Sequence, residues 1–278
     1  MDLTREKQHT IIKRAQESLD SFGFEVHPFK IGWYNEQVKD VFRLSYPADT
    51  LGLLVISTPD MFERAFIPFL KNEECNEIRD PIDQCVVHYF NKVKQVFPDC
   101  DIESIHDFEM HHSRKPKILV QTVGHVSGAV YYYQKSDVIK QPWPPEKKIC
   151  GVCYHPAYGG WFGLRGVLIF KEIQCPHLQQ SEPQDVIPSL EMRVELLNKF
   201  NFHWQDWTFR DLIPVRKRYS QEQMIYFSTK PKDRAKLIEK IKSSATFLPD
   251  SPNDLQYLDK GHSTDSSDIN DIDIIQTG

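Results

Sequence analysis

Apolar residues recur at helical spacing near both ends of the chain and alternate, or run together, through its middle. Ile11, Ala15 and Leu19, with Ile12 and Phe22 beside them, share one helical face, and Gly23 is placed to end that helix. Leu51–Ser57 (LGLLVIS) reads as a buried strand bounded by Thr50 and Thr58-Pro59. Asp60–Lys71 then reads as a helix, with Met61, Phe62, Ala65, Phe66 and Phe69 as its core stripe and Pro68 as a distortion. Asp80-Pro81 opens another helix through Cys85, Val86, Tyr89 and Val93, because Asp at the cap and Pro at the first position are helix-start chemistry.

The middle changes period. Ile102–Met110 alternates apolar and polar, Ile118–Val126 is β-branched, and Ala129–Gln134 is aromatic, so all three predict strands. Ile149–His155 and Trp161–Phe170 continue the series across a Pro156–Gly160 turn. After a Pro-rich loop at Cys175–Pro188, helical patterning returns at Leu190–Phe200 and Asp233–Ile241. Helices, then strands, then helices predict the α+β class, with a mainly antiparallel central sheet flanked by helices.

Charge sharpens the domain limits. Residues 243–278 hold seven aspartates and one lysine, so the net charge of −5 divides into −6 there and +1 on residues 1–242. The Ser-, Asp- and Asn-rich tail buries too little apolar surface to offset its ordering entropy and is expected to be disordered. One domain over residues 1–242 and an acidic tail over 243–278 is the expected organisation. A near-neutral body is a poor nucleic-acid binder, which needs clustered Lys and Arg. The longest apolar stretches, Leu51–Ile56 and Gly166–Phe170, are too short to span a bilayer. Residues 1–20 carry eight charged side chains, which leaves no apolar signal core, and six cysteines without one suggest reduced thiols in the cytoplasm.

Candidate chemistry concentrates in the strand region. Cys150 and Cys153 form a C-x-x-C with no second pair. In a strand they point to opposite faces, which favours two small buried side chains over a redox or zinc motif. His125 lies in a Gly-His-Val-Ser-Gly loop. His111 and His112 are adjacent and His155 and His203 isolated, so no chelating set is expected and His125 reads as a satisfied, non-ligating side chain. Tyr131 and Tyr133 share one strand face, and Tyr132 with Gln134 the other, which suits either a packed sheet or a broad amphiphilic ligand. Arg165 sits in an apolar run (WFGLRGVL) and needs a protein carboxylate or an anionic ligand. Arg210 is aromatic-flanked in the same way, with Asp206 and Asp211 as its expected partners. No P-loop, dinucleotide glycine fingerprint or nucleophile elbow is present.

Several stretches, in order, carry a resemblance. They are Phe22–Val26 with Trp33–Glu36, Ser57–Pro59 with Asp80–Cys85, Arg114–Thr122, His125–Gln134, Gly151–Cys153 through Arg165-Gly166, and Phe200–Trp204 through Asp211. From about Glu17 to Arg234 the chain resembles the methylmalonic aciduria and homocystinuria type C family of cobalamin-processing enzymes. The resemblance implies a nitroreductase-like fold and cobalamin bound with its base detached from cobalt. It further implies transfer of cobalt-bound alkyl groups to glutathione and reductive removal of cyanide with electrons from FMN or FAD. Carried over, cobalamin contacts fall on Asp107, Ile118, Leu119, Val120, Gln121, Tyr132, Tyr133, Gln134, Cys153 and Leu164. Glutathione contacts fall on Arg165, Arg210 and Arg234 with Trp207, Arg165 being the catalytic candidate; no protein ligand to a metal is implied. A downstream B12-trafficking protein of the type D class and a homodimer are the implied assemblies. A non-catalytic carrier and a flavin-dependent nitroreductase-type oxidoreductase remain the rival readings.

Overall fold

Gly23 ends the first helix in a left-handed conformation, φ +80°, where a side chain would collide with the backbone of Asp60 and Met61. In the computed structural model, which describes residues 3–72 and 80–243, that helix is α1, Leu3–Asp20. Strand β1 follows at once, Phe24–Lys30, and then helix α2, Ile31–Gln37. The apolar spacing singled out neither element, since each is seven residues long and polar on one face.

β1 is the edge of a four-stranded antiparallel sheet of order β1-β2-β6-β3. β2 is Thr50–Ser57, β3 Ile102–His106 and β6 Gly163–Gln174. Pro28, which cannot donate to a ladder, is tolerated on the edge strand. Every residue of β2 is buried because both faces of the sheet are covered. Leu51, Leu53, Val55, Leu168 and Phe170 face a core built with α1 and α4 (Pro81–Val96). Leu54, Ile56, Leu164, Val167 and Ile169 face a second core, with Tyr34 of α2 and Val120, Val123 and Val126.

Those three valines correct the strand expected at Ile118–Val126. Residues Val120–Val126 form helix α5. β-branched content suggested period two, but Val120, Val123 and Val126 recur at i, i+3 and i+6, and burying that stripe overrides strand propensity. Tyr34 ties α5 down, as its hydroxyl donates to Phe42 O at 3.1 Å and accepts from Leu119 N–H at 3.1 Å.

A two-stranded sheet pairs β4, Tyr131–Tyr133, with β5, Val152–Tyr154, over a third core that includes α6, Leu190–Phe202. β3 and β5 are shorter than their patterns suggested, β3 stopping at His106 rather than Met110, whereas β6 starts two residues late and runs on to Gln174. The helix expected at Asp60–Lys71 begins as a π-helical turn, Phe62–Phe66, before α3, Ile67–Asn72. Pro68 removes the backbone donor that would bond Arg64 O, so regular α-helix cannot run unbroken through this segment. α7, Gln221–Ser228, was not foreseen, and α8 runs Arg234–Ser243. The expected acidic tail lies outside the described residues except Ser243. No helix among the described residues is long and apolar enough to cross a membrane.

Candidate functional site

The β4–β5 sheet and the start of α5 enclose a cavity of about 320 Å³, lined by Gln121, Tyr132 and Gln134 with Lys148, Cys150 and Gly151. Gly151 is required there, because a Cβ would stand 2.6 Å from the Tyr132 ring. Ile118, Val120, Cys153 and Leu164 belong to the core cluster behind it, with Leu119 and Tyr132 packed against them. Cys153 Sγ donates to Gln121 O at 3.8 Å, and complete burial pushes its thiol well above the ordinary range. It is therefore a packing thiol, and Cys150, half-buried at the cavity, is its outward-facing neighbour.

Tyr133 departs from the other cavity candidates. Its ring is fully buried in the third core, and its hydroxyl donates to Asp185 at 2.7 Å and accepts from Val186 and Ile187 N–H. It does not line the cavity, and only its carbonyl oxygen lies close to the lining residue Gly151. Asp107 follows β3, its N–H donating to Arg165 O at 3.4 Å. His125 Nδ1 accepts from Tyr132 N–H at 3.2 Å, and burial lowers the imidazole pKa. One ring nitrogen of His125 is thus engaged by the backbone of β4.

Leu164, in the core behind the cavity, is followed by Arg165, which belongs to a second feature. Val55 pairs with Gly166 and Ile56 with Leu164, so Arg165 is the extra residue of a β-bulge. Gly166 accommodates the bulge at φ +125°. The bulge turns Arg165 inward at 2% exposure, where Nε donates to Ser57 Oγ at 2.8 Å. Gly163 makes the room, since a Cβ there would lie 2.6 Å from Arg165 Nη2.

Arg210, 3% exposed, sits in an aromatic cage. Its guanidinium carbon is 4.9 Å from the rings of Trp207 and Phe209, 5.2 Å from Tyr219 and 5.6 Å from Trp161. Trp161 and Trp207 stack at 5.7 Å with 6° between planes. Trp207 holds a left-handed φ of +63° to do so. Burial lowers the Arg210 pKa, Tyr219 counters that, and the charge of Arg165 depresses it further. The two guanidiniums thus repel one another, and an anion held between them would relieve the repulsion.

The partners expected for Arg210 are engaged elsewhere. Asp206 accepts from Thr208 N–H and hydroxyl, while Asp211 accepts from Trp161 Nε1 and Arg218 Nε. Asp206 is taken up by its own turn, and Asp211 by a tryptophan and a second arginine. Arg234 is different again, pairing with Asp80, donating from Nε to Thr229 O at 2.9 Å and stacking over Tyr226. Asp80 also caps α4 through Ile82 N–H.

Sequence reasoning missed Ser57 and Tyr219 as neighbours of the arginines, because neither is close to them along the chain. It also read His155 as isolated, whereas folding sets it beside Glu25 and His27. The glycines at 163 and 166, on either side of a lone arginine in an apolar run, were the available signal for the guanidinium site.

Known proteins resemble this chain over most of its length. A Gallus gallus protein named cyanocobalamin reductase / alkylcobalamin dealkylase is 52% identical over 231 residues, 83% of this chain and 97% of the relative. A Homo sapiens protein of the same name is 46% identical over 243 residues, 85% and 86% of the two chains. A crystal structure of the C. elegans B12-trafficking protein CblC superposes with a TM-score of 0.77 at 33% identity, covering 87% of this chain and 99% of that one. A model of the methylmalonic aciduria and homocystinuria type C family matches residues 23–238, and this chain belongs to that family.

Proposed function

We propose that the chain processes cobalamin, removing its upper axial ligand by alkyl transfer to glutathione or by reductive loss of cyanide. The observation that carries this reading is that Leu164, in the core against which the cavity residue Tyr132 packs, is followed directly in the chain by Arg165 of the guanidinium pair. An electrophile lying across the cavity is thereby set beside an anion-binding site. A 320 Å³ cavity takes only part of a corrin, so the disc lies across its mouth, with Tyr132 against the ring and Gln121 and Gln134 reaching rim amides. Relatives named for this activity over most of their length support the same reading.

In dealkylation, Arg165 and Arg210 hold glutathione carboxylates and favour its thiolate. The thiolate sulfur attacks the cobalt-bound carbon, the carbon–sulfur bond forms, and the cobalt–carbon electron pair stays on cobalt to give cob(I)alamin. Base-off binding stabilises that electron-rich product and so belongs to catalysis. For cyanide removal, reduced FMN or FAD would supply the electrons, its planar ring held against Tyr132 with Gln121 and Gln134 at its amide edge. A nitroreductase-like domain over residues 1–242, a cytoplasmic location, a homodimer and hand-over to a type D partner complete the proposal.

Anaerobic mixing with methylcobalamin and glutathione tests it. The cob(I)alamin spectrum should appear and glutathione should become S-methylated. Methylcobalamin bound tightly but unchanged would leave only a carrier.

A further inference from the structure

Glu25, His27 and His155 bring ligand-type atoms within 4.8 Å of one another, the donor set of a two-histidine, one-carboxylate metal site. The hydrogen bonds of His155 point to a different use. Backbone N–H groups of Ala157 and Tyr158 donate to its Nδ1 at 3.0 and 3.2 Å. That nitrogen is an acceptor, so the ring proton sits on Nε2. A metal at Nε2 would displace the proton and leave an imidazolate, whereas a ligating imidazole keeps an N–H on its other nitrogen.

Nε2–H instead meets Glu25 Oε2 at 3.3 Å, an oxygen that His27 Nε2 also approaches at 3.3 Å. Burial raises the Glu25 pKa, but the hydrogen bonds from His155 and His27 outweigh it and hold the carboxyl well below the usual range. Glu25 is thus an anionic acceptor on the edge strand.

The other side of His155 is a tight turn. His155 and Gly159 exchange backbone hydrogen bonds at 2.8 and 2.9 Å, with Gly159 at φ +58°. Ala157 O accepts from Arg216 N–H at 2.8 Å and Gly160 N–H donates to Arg210 O at 3.0 Å. Arg210 Nη1 returns a bond to Gly160 O. The segment carrying Arg210 therefore hangs on a turn whose root is the His155 ring.

We infer that Glu25 and His155 are positioning residues for the anion site: Glu25 orients the His155 ring, the ring fixes the Pro156–Gly160 turn, and the turn places Arg210. The inference rests on reading Arg165 and Arg210 as the glutathione site. It explains why the chain places a carboxylate at Glu25, opposite the apolar Ile56 and on a strand face shared with His27 and Phe29.

The test uses the full chain and three variants, His155→Phe, His155→Gln and Glu25→Gln. His155→Phe should raise the glutathione KM about tenfold or more while hydroxocobalamin affinity stays within about twofold. Glutamine offers one acceptor and one donor, so His155→Gln should recover most of the loss. Hydrogen exchange should quicken at residues 157–160 and onward through 210–216 in His155→Phe. Unchanged KM and unchanged exchange overturn the inference. So does zinc(II) bound tightly by the wild-type protein and lost in Glu25→Gln. If the wild type shows no glutathione dependence, the glutathione reading fails, and exchange alone decides whether the turn places Arg210. If His155→Phe does not fold, Glu25→Gln carries the same two readouts.

Discussion

Arg165 and Ser57 meet across the β2–β6 ladder, the guanidinium Nε donating to the hydroxyl at 2.8 Å where the bulge interrupts the register. Without that hydroxyl the buried arginine would lose one of the bonds that set its rotamer. Ser57→Ala should therefore weaken glutathione use without touching the corrin cavity. Losing a hydrogen bond to a charged group costs about 1.5–3 kcal/mol, so the glutathione KM should rise about tenfold or more. Steady-state kinetics at saturating methylcobalamin check this, and an unchanged KM would remove Ser57 from the site.

Arg210→Met should separate stability from function. A buried guanidinium carries a desolvation cost, and an apolar side chain of similar length often fits such a place at no loss. The melting temperature should hold or rise, while glutathione-dependent dealkylation falls by about 100-fold or more for want of a bidentate charge. Arg210→Lys should not rescue activity, because an ammonium lacks the planar face that Trp207 and Trp161 stack against.

Glu109 predicts an acid limit for the hairpin after Asp107. Burial raises its pKa, but hydrogen bonds from Lys117 and His106 outweigh that and bring it down from 4.5 to about 2. A carboxyl depressed in the folded state contributes stability above the unfolded pKa and loses it as pH falls through the folded one. The melting temperature should drop between about pH 4.5 and pH 2. Glu109→Gln should flatten that slope, and an identical slope in both proteins would contradict the ion-pair account.

Truncation after Ser243 should leave hydroxocobalamin affinity and dealkylation at wild-type levels. The removed segment carries −6, and residues 1–242 carry +1, so the arginine pair faces its anion without a long-range repulsive field. Loss of either activity would show that residues 244–278 take part in the site.

Much of the frame was legible in the chain. Helical spacing at Ile11–Leu19, the Asp80-Pro81 cap and the apolar run at Leu51–Ser57 each state a local preference that packing reinforces. Ile118–Val126 misled because β-branched residues at i, i+3 and i+6 satisfy both a strand's composition and a helix's stripe. Only the core they enter chooses between them.

The site shows the same division. Sequence alone singled out Arg165, Arg210, Tyr132 and Gln134, since charged or amphipathic side chains inside apolar runs demand an explanation. It could not say that Tyr133 turns into a different core, that Arg234 belongs to Asp80, or that Glu25 reaches His155. Those facts depend on strand order, on one bulge and on which side of a two-stranded sheet a ring falls. Residue types and their local spacing are written in the chain. Contacts between residues 50 to 150 positions apart follow from the register in which strands pair, which no local pattern encodes.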